Sequence, residues 1–196
     1  MKERPIIFSG PMVRAILEGR KTQTRRIRKI GTGLCPHGQP GDLLWVRETW
    51  GAIHRGDSSP IRGQPFDAEI VYRVDGDPDL PDASLWESFK WHPSIHMPKK
   101  YARLWLRITN ARVGRVQEIS KEDAEAEGVY QYWANCCDTD KWPQGWPEDA
   151  YNPEIGALSS TEVFHLLWDS LNAKRGYPWM NNDWVWVVEF EQYDHR

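Results

Sequence analysis

The chain has 196 residues and a formal net charge of −3, with 40% hydrophobic and 27% charged residues, the balance of a folded globular protein. No apolar run approaches the roughly 20 residues of a membrane-spanning helix, and the N-terminal MKERPIIFSG lacks the long apolar core of a secretory leader. A net charge this close to neutrality argues against a broad duplex-DNA binder and leaves room for a local basic pocket. Cys35, Cys136 and Cys137 make an odd set with two adjacent, which points away from a disulfide scaffold and toward a reducing, cytoplasmic setting.

In chain order, RPIIFSG reads as a short strand ending at Gly10, and PMVRAILEG as a helix with Pro11 in its first turn and Gly19 as its stop. Met12, Val13, Ile16 and Leu17 form its expected buried stripe. KTQTRRIRKI reads as a strand with Thr22, Thr24 and Arg26 on one side. GTGLCPHGQPGD is loop, and Gly41-Asp42 starts the strand LLWVRETW. Residues 51–68 read as a polar, irregular insertion, followed by the strand AEIVYRV and a possible short helix within 82–98 before the two-proline loop WHPSIHMPKK. YARLWLRITNARVGRVQEI alternates over one or two strands with a bend near Asn110.

SKEDAEAEGV reads as a capped helix, with Ser120 as cap, Asp123 where Glu or Gln is usual, and Gly128 as stop. Residues 130–155 read as a second irregular insertion. SSTEVFHLLWDSLNAKRG is the strongest amphipathic helix, with Val163, Leu166, Leu167, Trp168 and Leu171 on one face and Gly176 at its end. DWVWVVEFEQY closes the chain as a strand. These elements predict a single α+β domain over 1–196, a small β-barrel decorated by helices.

Arg20, Lys21, Arg25, Arg26, Arg28 and Lys29 crowd one short stretch, with Arg14 a turn before. They form either a solvated charged face near a helix C-terminus or an anion or nucleic-acid site. Twelve tryptophans are far more than average composition gives. They serve packing or base stacking. Within this stretch, Gly19-Arg20-Lys21-Thr22-Gln23-Thr24-Arg25-Arg26 matches Gly-x-Lys-x-x-x-x-Arg. This pattern resembles the signature of the ASCH family, a branch of the PUA-like barrels. RETW at 47–50, PSIHMP at 93–98, LLWDSLN at 166–172 and WVWVVEF at 184–190 extend the resemblance to the larger phage- and prophage-associated members.

The resemblance implies a PUA-like barrel with a cleft for RNA, a nucleoside or a modified base. The small bacterial members of the family include amidohydrolases of N(4)-acetylcytidine. Carried over position by position, their catalytic lysine falls on Lys21, the threonine on Thr24 and the glutamate on Glu127, with the motif arginine at Arg26. The chain departs from the family in being longer than those hydrolases and in carrying Thr24 where many motifs have Glu.

Amide hydrolysis needs a nucleophile, a base and a group to hold the oxyanion. Thr24 is a nucleophile or orients a water. Lys21 is a base if its surroundings are dry, and otherwise a cation at the oxyanion. Glu127 holds Lys21, relays a proton or grips a cytosine edge, and Arg26 suits a phosphate or carbonyl. Trp45 is a stacking candidate, with Glu48, Ser94 and His96 as further ligand contacts. Core packing explains Trp45, and a rigid proline loop explains Ser94 and His96, equally well.

No cofactor is implied. Cys35-x-His37 with Cys136-Cys137 has metal-ligand chemistry without metal-ligand spacing, so no metal is expected. The expected partner is RNA or a modified nucleoside, with no membrane. A non-catalytic RNA or nucleotide-binding module, an RNA hydrolase and a phage accessory protein acting through protein contacts are the alternatives.

Overall fold

The structure is a computed structural model that describes residues 1–29, 31, 33–54, 68–78, 80, 89–129 and 158–195. Strand β1 (Glu3–Ile7) leads into helix α1 (Gly10–Leu17), where Pro11 occupies the first turn. Gly19, at φ +73°, ends the helix in the left-handed region that glycine adopts without strain. Val13, Ala15 and Ile16 are buried, whereas Leu17, expected in the stripe, is exposed at the helix end.

Strand β2 (Gln23–Ile27) follows, then β3 (Leu43–Arg47). Trp50–His54 (β4) and Ala68–Tyr72 (β5) pair as a separate antiparallel hairpin. The first part of the expected 51–68 irregular stretch is therefore strand; 55–67 lie outside the described residues. The helix expected within 82–98 falls partly outside them, and the 130–155 insertion lies wholly outside them. Strand β6 (Trp105–Arg115) runs unbroken, and the bend expected near Asn110 is a bulge between Ile108 and Asn110.

Helix α2 (Lys121–Ala126) is capped as its sequence predicts, with the Ser120 hydroxyl accepting from the Asp123 N–H at 3.1 Å. Helix α3 (Ser160–Asn172) starts with a capping box between Ser159 and Glu162. It buries Val163, Phe164 and Trp168, while Leu171 is exposed where the helix tightens toward Gly176. Strand β7 (Trp184–Tyr193) closes the fold.

The main sheet has the order β1-β3-β6-β7-β2, with β1 parallel to β3 and its other pairings antiparallel. Its two edge strands share no ladder, yet they meet: Arg26 Nη2 on β2 donates to the Ile7 carbonyl on β1 at 2.8 Å. The fold is thus α+β, with a sheet curled toward a barrel.

Inside the curl, Ile6, Phe8, Val13, Ile16, Leu44, Leu106, Trp186 and Val188 form the first core. On the opposite face of β2 and β7, helices α2 and α3 pack Ala124, Val163, Phe164 and Trp168 against Val185 and Val187. The alternation of β7 between Trp186 or Val188 and Val185 or Val187 separates these two cores.

Candidate functional site

The site grows from the junction of α1, β2 and the end of α2. Glu127 is the residue that ends α2, and Gly128 follows at φ +87°. A Cβ on Gly128 would stand 3.0 Å from the Ala15 Cβ and 3.2 Å from the Lys21 Cβ. Only a residue without a side chain lets the chain turn this close to Lys21.

Lys21 is 2% exposed and Glu127 4% exposed, and they meet although 106 positions separate them. The Lys21 amine donates to Glu127 Oε2 at 2.9 Å, to the Glu127 carbonyl at 2.8 Å and to the Gln23 carbonyl at 2.8 Å. Those acceptors match the three N–H groups of an ammonium. Burial pulls the Lys21 pKa below the ordinary lysine value; the Glu127 carboxylate opposes that shift, and Arg26 and Arg25 add to it.

Around this pair lies a network the sequence did not foretell. Alternation puts Arg25 on the side of β2 opposite Thr22, Thr24 and Arg26, and α2 and α3 cover that side and bury it. Arg25 Nη2 reaches Asp123 Oδ2 at 2.6 Å, and Nη1 reaches Glu127 Oε1 at 3.4 Å. Arg112 Nη2 adds a 3.0 Å contact to Asp123 Oδ2. Burial works to raise the Asp123 pKa, but the two guanidinium groups outweigh it and hold the carboxyl below its usual range.

Thr24 is buried on the other side of β2, in register with Val188 of the first core. Among the described residues its hydroxyl makes no hydrogen bond, and alternation sets it on the opposite face of β2 from Arg25. Arg26 shares its face. Lys21 and Arg26 both lie over the Phe8 ring, with the Lys21 amine 5.5 Å and the Arg26 guanidinium carbon 5.3 Å from its centroid. Lys21 therefore sits at the rim of β2 between the Glu127 side and the Thr24–Arg26 side.

The other expected ligand contacts lie elsewhere. Trp45 packs with Leu43 and Trp105 in a third cluster, under the Arg47 guanidinium. Glu48 is 1% exposed, and both its oxygens accept from Arg103, Oε1 from Nε and Oε2 from Nη2, each at 3.0 Å. Burial raises the Glu48 pKa and Arg103 opposes the rise. Ser94 and His96 stand on a single 3-10 turn whose next residue, Met97, is fully buried; its sulfur accepts from the Glu48 N–H and its carbonyl from Arg47 Nε. This loop clamps the end of β3. No described contact joins Trp45, Glu48, Ser94 or His96 to Lys21, Thr24, Arg26 or Glu127.

At the far end of the β1–β2 seam, His37 is half-buried. Burial first, then Arg26 and Arg4, push its pKa down to about 4. Cys35 is a buried free thiol of the first core. Cys136 and Cys137 lie outside the described residues. Among the described residues no group of His, Cys, Asp and Glu is placed to hold a metal ion, and no helix is long and apolar enough to cross a membrane.

No family model matches the chain, and no curated protein matches it. Among solved structures, the chain is similar to the crystal structure of an ASCH domain from Lactobacillus crispatus JV V101, at 12% identity and a TM-score of 0.42, over 97% of this chain and 79% of that one.

Proposed function

We propose that the protein acts on RNA or a nucleoside in the cytoplasm, as an amidohydrolase of an N(4)-acylated cytidine-type substrate at the rim of β2. The observation that carries this reading is the buried Lys21–Glu127 contact at 2.9 Å, between an amine whose pKa burial lowers and a carboxylate within hydrogen-bond reach of it. Lys21 passes a proton to Glu127 and becomes a neutral amine. A water attacks the acyl carbon and gives its proton to that amine; where the Thr24 hydroxyl attacks instead, the acyl group passes to its oxygen and a water then cleaves that ester to release the acid. The bond from the acyl carbon to N(4) breaks, and Glu127 returns its proton to the leaving nitrogen. Arg26, on the Thr24 face, holds the developing oxyanion. No metal is required.

The test is release of cytidine and acetate from N(4)-acetylcytidine. Lys21→Ala and Glu127→Ala each lower kcat by about 100-fold or more. Because Thr24 faces away from Glu127, Thr24→Ala separates a nucleophile from a group that orients water: the former loses all turnover, the latter keeps a residue of it. Full activity in the three variants would overturn the mechanism.

One observation favours a second reading, a binding module without turnover. All three N–H groups of the Lys21 ammonium are already engaged by Gln23 and Glu127, which suits a structural cation. In that case RNA binds with a salt-dependent affinity that falls in Arg26→Ala, and no product forms.

A further inference from the structure

We propose a phosphate-binding subsite at the far end of the β1–β2 seam, built by Arg4, Arg26 and His37 with the Trp186 indole N–H. Its ligand is the phosphate of a nucleotide or of an RNA backbone, an identity that rests on the nucleoside reading of the neighbouring Lys21 site.

The topology brings these groups together. Arg4 lies on the same face of β1 as the buried Ile6, and the Arg26 guanidinium reaches the close of that strand, at the Ile7 carbonyl and over the Phe8 ring. The loop carrying His37 leaves from the close of β2 and returns at Leu43, which pairs with Glu3 beside Arg4. Arg26 and Trp186 are direct cross-strand partners. Both Arg4 and Arg26 act on the same imidazole.

What singles out this end is unspent hydrogen-bonding capacity. Arg4 Nε, Arg26 Nε and Trp186 Nε1 are all buried with no hydrogen-bond partner. Buried donors in a folded protein are normally paired, so several orphans at one end call for an acceptor. Among the described residues Arg4 has neither a hydrogen bond nor an ion pair, and Arg26 has only its bond to the Ile7 carbonyl.

The nearby carboxylates do not fill the gap. Asp42 accepts from the Lys2 and Gln39 N–H groups, and Glu127 accepts from Lys21 and Arg25. Arg175 adds further positive potential at Arg26. His37, kept neutral by burial and by the two cations, offers one more N–H without adding repulsion. Guanidinium groups, an indole N–H and a neutral imidazole are donors suited to a multiply charged oxyanion.

Since Arg26 also lies over Phe8 beside Lys21, the subsite adjoins the Lys21 site. A base near Lys21 and Glu127 would carry its phosphate toward Arg4.

Calorimetric titration of the full chain tests this with cytidine, cytidine 5′-monophosphate, inorganic phosphate and a short oligoribonucleotide lacking terminal phosphates. The nucleotide is expected to bind at least tenfold more tightly than the nucleoside, about 1.4 kcal/mol. Arg4→Gln should erase that ratio and leave cytidine affinity unchanged. A preference for the monophosphate marks a terminal phosphate, and a preference for the oligomer marks the RNA backbone. Either outcome supports the subsite.

Equal binding of cytidine and its monophosphate, with neither the oligomer nor inorganic phosphate bound, would overturn the subsite and leave the Lys21 reading standing. Binding of inorganic phosphate with no affinity for any cytidine compound would do the reverse. If Arg4→Gln fails to fold, competition on the unaltered protein decides: inorganic phosphate should displace the nucleotide and leave cytidine bound, and failure to displace it overturns the subsite.

Discussion

At the scale of single residues, the molecule buries charge it has to neutralise locally. Lys21, Arg25 and Glu127 form one desolvated cluster, and removing one member leaves the others without compensation. Lys21→Met is expected to cost about 3–5 kcal/mol in urea unfolding, whereas Lys21→Met with Glu127→Leu recovers most of that loss. A double variant as unstable as the sum of its singles would mean that the pair is not coupled.

His37 makes a prediction of opposite character. Its folded pKa, about 4, lies below the unfolded value of about 6.5, so the unfolded chain binds the extra proton between them. Its contribution to stability is complete above pH 6.5 and is lost as the pH falls toward 4. After allowance for partial exposure this amounts to about 1–2 kcal/mol. His37→Gln should flatten the stability profile across that window and leave the fall below pH 4, to which Asp123 contributes, in place. Thermal melts at successive pH values read both.

At the scale of elements, turn chemistry and alternation made most of the fold legible in the sequence. Pro11 and Gly19 bound α1, Ser120 and Gly128 bound α2, and Asn110 marks the bulge of β6. The misses share a cause. Leu17 and Leu171 continue an apolar stripe on paper but sit at helix ends, beyond the surface that covers their neighbours. Arg25 reads in the sequence only as one of a basic run, yet two helices pack over its side of β2. Local pattern reads one face of a strand and cannot say what tertiary structure lays on the other.

The same limit applies to the site. The resemblance singles out Lys21, Thr24, Arg26 and Glu127, and the fold brings Lys21 and Glu127 of these into contact. Arg4, His37 and Trp186 stand far apart in sequence and are joined only by strand order. The closeness of α1, α2 and β2 has its own test. Gly128→Ala brings a methyl group to 3.0 Å from the Ala15 Cβ in a left-handed backbone. It should cost about 1–3 kcal/mol and weaken any ligand held through Lys21, measured as a parallel loss of stability and affinity.

At the scale of the whole molecule, two ionic centres, one buried and one reaching from a buried carboxylate to the surface, divide the labour. One joins α1, β2 and α2 through Lys21, Arg25 and Glu127. The other joins β3, β5 and β6 through Glu48, Arg103 and Asp75, with the Arg103 guanidinium 3.9 Å from the Tyr72 ring centroid. Arg103→Gln should lower stability by about 2–4 kcal/mol, because Glu48 is left buried and unpaired. Cytidine affinity should be unaltered once the protein is folded. A selective loss of affinity with normal stability would instead make Glu48 a ligand group, as its place in RETW suggests.

The contact between Arg26 and the Ile7 carbonyl has a mechanical consequence. The rims of the sheet are stitched by one guanidinium where a closed barrel would carry a row of amide bonds. A guest that grips only its Nε edge leaves the stitch intact, whereas a guest that takes Nη2 undoes it and frees both rims. Amide exchange in β1 and β2, compared with and without the guest, distinguishes a lock from a latch.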